Sequence, residues 1–145
     1  MYQLHGSGED YSFPQAVIEK TVRIFHSQRV EIGDGTYISN QTILKGYLHN
    51  GSFSIRIGKR CWIGENCYLH GAGTIDIEDR VGIGPGVYMI TSYHNLENRE
   101  HVLDQPVEFM GIKIKQGADI GTRSIILAGV TVGQGAVIGA GSVVT

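Results

Sequence analysis

Residues 114–144 carry a β-branched aliphatic residue at every sixth position: Ile114, Ile120, Ile126, Val132, Ile138 and Val144. An amphipathic helix spaces its apolar residues by three and four, and a half-buried strand by two. A period of six fits neither. It fits a short strand, a turn and another short strand, with one aliphatic side chain sent inward per step. The fifth slot of each step holds Ala118, Ser124, Val130, Ala136 and Ser142, all small or medium, and Gly121, Gly133 and Gly139 follow the aliphatic residue. This is the hexapeptide signature of a parallel β-helix. Three steps close one coil of about 18 residues.

The same rule organises the rest of the chain in blocks: Ile32, Ile38, Leu44; then Ile57, Ile63, Leu69; then Ile77, Ile83, Met89. Each block opens on an apolar-x-apolar triplet, as in Ile55-Arg56-Ile57 and Ile112-Lys113-Ile114. Coils therefore start near residues 32, 57, 77, 114 and 132. Removing one coil from each step leaves insertions of about 7, 2, 19 and 0 residues. On this count His94 closes the third coil, and roughly 95–113 forms a loop thrown out of the solenoid. A loop that long in so economical a fold calls for a function. Residues 1–31 allow two readings, a short helix starting at Pro14 or a partial first coil; the β-formers in TVRIFHSQRVEI favour the coil after about residue 21. The expected organisation is an N-terminal segment, 1–31, and an all-β solenoid domain, 32–145.

Composition supports this reading. Twenty-one of 145 residues are glycine, about twice the usual share of roughly 7%, and they fall inside periodic segments, at tight corners. Twelve basic residues against fourteen acidic ones give no nucleic-acid or polybasic membrane signal. No apolar run approaches the roughly 18 residues that cross a bilayer, and MYQLHGSGED has no signal-peptide core. The cytoplasm is the expected location. Cys61 and Cys67 occupy fifth slots and read as small buried hydrophobes.

These residues resemble the hexapeptide-repeat ("isoleucine patch") acyltransferases, which fold as left-handed parallel β-helices. The handedness comes from the resemblance, since general crossover statistics favour the right hand. The match covers about residues 30–145. IILAGVTVGQGAVIGAGSVVT looks like the last coils of sugar O-acetyltransferases, of the maltose, galactoside and polysaccharide branch. VGIGPGVYMITSYH resembles the stretch that carries their catalytic histidine. Two departures stand out. Many relatives place a tryptophan where this chain has Asp119; its one tryptophan, Trp62, lies two coils earlier. Relatives also continue past V-V-T, whereas this chain stops at Thr145 inside a coil, so the family is expected to extend further and to cap the open end.

The resemblance implies acetyl transfer from acetyl-CoA, as co-substrate, to a sugar hydroxyl. A hydroxyl is a weak nucleophile at neutral pH and needs a base. Histidine, with an unperturbed pKa near 6.5, suits the task, and His94 is the candidate. Tyr68 and His70 line up with family residues that contact the acceptor, His70 standing in place of an asparagine; Asn95 joins them. His70 and His94 fall in the third step of adjacent coils, so they share one edge of the prism. The Thr122 backbone N–H is the expected oxyanion donor. The coenzyme is expected along Gly121, Thr122, Ala128 and Gly129, with Gly135, Ala140, Gly141 and Thr145 toward its nucleotide; corners need glycine anyway. His101 could approach the site of another subunit, and Glu97, Arg99, Glu100 and Asp104 read as a solvated loop face, one of which could orient an imidazole. His5, His26 and His49 have no supporting constellation.

The family implies a homotrimer with sites between subunits. Competing readings are an N-acetyltransferase of amino-sugar nucleotides, a carbonic anhydrase on the same solenoid and a non-catalytic scaffold. The carbonic anhydrase would need a metal held by three histidines across an interface, and its expected pair of histidines five apart is missing. No metal ligand is assigned.

Overall fold

A computed structural model describes residues 13, 15–48, 51–97 and 101–145. Strands of two or three residues stack into three parallel sheets, which we call faces A, B and C. Face A takes Val17–Ile18, Tyr37–Ile38, Trp62–Ile63, Gly82–Ile83, Asp119–Ile120 and Val137–Ile138. Face B takes Arg23–Phe25, Ile43–Lys45, Tyr68–His70, Tyr88–Ile90, Ile125–Ile126 and Val143–Val144. Face C takes Val30–Ile32, Ile55–Ile57, Ile75–Ile77, Ile112–Ile114 and Thr131–Val132. The fold is a left-handed parallel β-helix.

The period of six has a direct physical meaning here. Each strand sends its aliphatic residue inward, onto the same residue of the next coil. On face A, Ile18, Ile38, Ile63, Ile83 and Ile120 form a fully buried column. Burying each such side chain contributes about 1.5–3 kcal/mol. The fifth slots sit inside the corners, where only small groups fit. Thr36, Cys61, Val81 and Ala118 are buried there in succession. Thr36 Oγ1 donates to the Gly58 carbonyl at 2.7 Å and accepts the Cys61 N–H at 3.0 Å. Both cysteines are buried and free, and burial pushes their thiol pKa up.

Two edges of the prism, A–B and C–A, are four-residue corners in every coil. The insertions fall on the third edge, B–C, between Lys45 and Ile55 and between Ile90 and Ile112. Residues 15–31 contain no α-helix; Val17–Ile18 pairs with Tyr37–Ile38, and Arg23–Phe25 with Ile43–Lys45, so solenoid strands occur upstream of residue 32. Pro14, His5, His49, Arg99 and Glu100 lie outside the described residues. No helix among the described residues is long and apolar enough to cross a membrane.

The sequence reading misplaced the large excursion. It leaves after Ile90 and returns before Ile112, and is not confined to 95–113. Ser92–His94 runs antiparallel to Val107–Phe109, with Ser92 opposite Phe109, Tyr93 opposite Glu108 and His94 opposite Val107. His94 therefore sits on a hairpin strand and does not close a coil. Two causes are visible. Tyr93 is too bulky for an inward corner slot, so it turns outward, 43% exposed, and donates to Glu108 Oε2 at 3.0 Å. The hairpin strands also satisfy each other's backbone away from the solenoid.

Candidate active site

The excursion has a built neck. Thr91, its first residue, is fully buried. Its carbonyl accepts the Met110 N–H at 3.0 Å, closing the two chains together. Its hydroxyl donates to the His70 carbonyl at 2.5 Å and accepts the Gly73 N–H at 2.8 Å. A side chain on Gly73 would come within 2.7 Å of the Thr91 carbonyl oxygen, and one on Gly129 within 2.9 Å of Met110 Cε. The neck is thus wedged between the corner turns of the coils on either side.

His94, half-buried on the strand that rises from this neck, has a buried Nδ1 with no hydrogen-bond partner among the described residues. Asn95 has both ends of its amide engaged inside the hairpin. Its Nδ2 donates to Glu108 Oε1 at 2.8 Å, and its Oδ1 accepts the Glu97 N–H at 2.9 Å. His101 is exposed, and the Asp104 N–H closes a short turn on its carbonyl at 2.9 Å. No group of three or more His, Cys, Asp or Glu side chains is placed to hold a metal ion among the described residues.

His70 differs sharply from His94. Its Nε2 lies 2.8 Å from the Tyr47 hydroxyl and its Nδ1 3.4 Å from Thr91 Oγ1. Because the Thr91 proton goes to the His70 carbonyl, Nδ1 must be the donor in the longer contact, and Nε2 accepts from Tyr47. Burial, aided by the nearby Lys45 charge, holds the His70 pKa below the ordinary histidine value. Tyr47 is packed edge-on against the imidazole, ring centres 5.0 Å apart; burial raises the pKa of its phenol.

Tyr68 points outward from face B and meets Tyr88 of the next coil edge-on, ring centres 6.0 Å apart. Beside them, along the A–B edge, runs a groove of about 650 Å³ lined by Glu65, Asn66, Tyr88, Thr122, Arg123 and Ile125. A second hollow of about 340 Å³ continues it past Gln41, Ile43 and Tyr68. The Thr122 N–H, exposed at this groove, donates to no acceptor among the described residues. Thr122 is approached closely because Gly84 lies beneath it; a Cβ there would fall 2.7 Å from the Thr122 nitrogen.

The residues expected to hold the coenzyme do not share one surface. Gly121, Thr122, Ala140 and Gly141 lie on the A–B edge, Ala128 and Gly129 on B–C, and Gly135 on C–A; Thr145 follows the last strand of face B. His94 departs from the B–C edge, across face B from Thr122. Asp119 stacks over Gly82 and Trp62 in the outward column of face A. Its carboxylate leans into the space that Gly82 leaves open. Tyr47, Tyr88 and Thr91 escaped the sequence reading. Tyr88 had a signal, the outward slot one residue before the inward Met89; Tyr47 sits in an insertion without period.

Comparison with known proteins agrees with the repeat. The family profile "Hexapeptide repeat of succinyl-transferase" matches residues 54–90 and 111–145, the solenoid on either side of the hairpin. The chain belongs to the hexapeptide-repeat transferases. A Schizosaccharomyces pombe protein assigned provisionally as an acetyltransferase is 37% identical over 94 residues, 64% of this chain and 44% of that protein. The crystal structure of a hexapeptide-repeat acetyltransferase from Vibrio cholerae O1 biovar eltor, complexed with acetyl coenzyme A, is 34% identical. That match has a TM-score of 0.59 and covers 63% of this chain and 50% of that one. AntD, an N-acyltransferase from Bacillus cereus solved with dTDP and coenzyme A, superposes with a TM-score of 0.79 at 22% identity, over 91% of this chain and 71% of that one. At that identity AntD attests the fold alone. The chain spans about half the length of the two nearer-sequence relatives.

Proposed function

We propose that the protein is a cytoplasmic acetyl-CoA-dependent O-acetyltransferase that moves an acetyl group to a hydroxyl of a sugar or polysaccharide precursor. The observation that carries this reading is the contrast between two histidines on one edge. His70 has both ring nitrogens engaged, whereas no hydrogen bond ties up the His94 ring among the described residues; its Nδ1 is buried, which leaves Nε2 as the nitrogen that would take the proton. A general base must have a lone pair to offer.

In this reading His94 removes the proton from the acceptor hydroxyl as its oxygen attacks the thioester carbonyl. The carbonyl oxygen becomes an oxyanion, to which the free Thr122 N–H donates. Collapse expels coenzyme A as a thiolate, which recovers the proton from His94. Gly121, Thr122 and Ala140 would line the coenzyme on the A–B edge, with Ala128, Gly129 and Thr145 contributing from B–C. Tyr68 and the groove beside Tyr88 would receive the sugar. His70 and Asn95, engaged as they are, would act through their neighbours.

His94 and Thr122 leave opposite edges of face B, so the site is proposed to form between copies. The hairpin of one subunit would lie over the A–B edge of the next, and three such contacts close a ring. Its exposed Leu96, Val102, Leu103 and Phe109 give it an apolar face to bury. A homotrimer of 15.8 kDa chains is expected by sedimentation. The test is His94→Ala, which should lower turnover on sugars by about 10²–10⁴ and leave the trimer intact. An unchanged rate would remove His94 from the mechanism. Acetylation of amino-sugar nucleotides alone would move the reaction from hydroxyl to amine.

A further inference from the structure

We propose that Tyr47 is a positioning residue for acetyl transfer, acting through His70 and Thr91 on the hairpin that carries His94. The proposal rests on the reading of His94 as the base. Tyr47, His70 and Thr91 come from three successive coils and meet at the B–C edge. Tyr47 is the second residue after the strand Ile43–Lys45, at the start of the smaller excursion. His70 ends the face-B strand of the next coil. Thr91 opens the larger excursion one coil further on.

The chain of cause runs through a tautomer. The Tyr47 O–H donates to His70 Nε2 at 2.8 Å, which places the single ring proton on Nδ1. A protonated Nδ1 offers a donor to Thr91 Oγ1 and cannot compete for the threonine proton. That proton is then free to go to the His70 carbonyl, while the Gly73 N–H donates to Thr91 Oγ1. Were the ring proton on Nε2, Nδ1 would become an acceptor and draw the Thr91 hydroxyl away from the carbonyl. Thr91 also closes the hairpin neck through Met110, and His94 is only three residues beyond it. The tyrosine hydroxyl thus sets the direction in which the base leaves the solenoid, without touching the base. His70, tied in this way, is a strut in this chain.

Tyr47→Phe keeps the ring and removes only the hydroxyl. In this variant nitrogen NMR should show His70 shifting toward the Nε2–H tautomer. The His70 pKa should rise, because a donor that favoured the neutral ring is gone. Amide exchange of Ser92 and His94 should quicken on the order of tenfold. Turnover should fall by about tenfold with the KM for acetyl-CoA unchanged, as expected for a misplaced base. Background tests isolate the route. Neither His70→Gln nor His70→Asn has a ring proton to place or two ring nitrogens to bridge Tyr47 and Thr91, so the effect of Tyr47→Phe should vanish in both backgrounds.

An unchanged tautomer with unchanged exchange at 92–94 overturns the proposal. So does an equal loss of turnover in the His70→Asn background. If His94→Ala retains activity while Tyr47→Phe still loosens the hairpin, the base assignment fails and the mechanical link stands.

Discussion

Faces B and C are built on the same backbone and the same inward ladder, yet their outer columns have opposite characters. On face C the outward residues of successive coils are Glu31, Arg56, Asp76 and Lys113, alternating in charge. Arg56 forks onto Asp76 at 2.9 and 2.8 Å, and Lys113 lies 3.9 Å from Asp76 and 3.6 Å from Glu78. On face B the corresponding column opens on Arg23 and continues through Ile43, Tyr68, Tyr88, Ile125 and Val143. Adjacent rungs are about 4.8 Å apart, so in both columns each side chain rests on the next. Face C completes its interactions within one chain and meets water. Face B presents apolar and aromatic surface beside a groove, with Tyr88 46% and Val143 60% exposed. The solenoid thus fixes where side chains stand; the outward slots set the chemical character of each face.

The largest expected effect comes from making face B resemble face C. Tyr88→Asp puts a charge in the middle of the apolar column and in the wall of the groove. If the subunits assemble as proposed, the trimer should be lost by sedimentation and turnover should fall by about 10² or more, because separated subunits would no longer bring His94 to Thr122. Retention of both would mean that face B is neither interface nor site. Next in size is Gly84→Ala, which leaves the outer column alone and presses a methyl onto the Thr122 nitrogen from 2.7 Å. It should cost about 1–3 kcal/mol of stability and depress kcat more than the KM for sugar. Equal changes in the two parameters would argue against Thr122 as an oxyanion donor. Smaller still is Arg56→Ala on face C. The pair is about half exposed at Arg56, so its removal should cost at most about 1 kcal/mol in thermal unfolding. Activity and assembly should remain as in the parent.

These contrasts also show what the sequence could and could not reveal. The inward columns were legible because β-branched residues at every sixth position admit no helix and no plain strand. The position of the excursion was legible from coil arithmetic, but its start was not. Met89 and the fifth-slot Tyr93 kept the count of six running for one step after the chain had turned into a hairpin. A count cannot distinguish a continuing coil from a departing strand; the bulk of Tyr93 could, since no corner has room for it. Tyr68 and Thr122, carried over from the family, both line the hollows along the A–B edge. The coenzyme residues, carried over from the family, fall on all three edges of the prism, and the period of six carries no information about which edge a ligand follows. Tyr47 and its contact with His70 were beyond reach, because an insertion has no period from which to place a side chain.

The smallest effect sharpens the comparison at the boundary of face B. His70 has a folded pKa held below the ordinary 6.5 by burial and by Lys45. The unfolded chain therefore binds more protons at this residue between the two values. Stability linked to His70 is fully present above about pH 6.5 and is lost as pH falls through the lower, folded pKa. Chemical denaturation between pH 7 and pH 5 should show stability declining with acid, and His70→Gln should flatten that slope. Face C predicts no such term from His70, so Arg56→Ala should leave the slope unchanged. A slope untouched by His70→Gln would mean that the imidazole is as well solvated folded as unfolded.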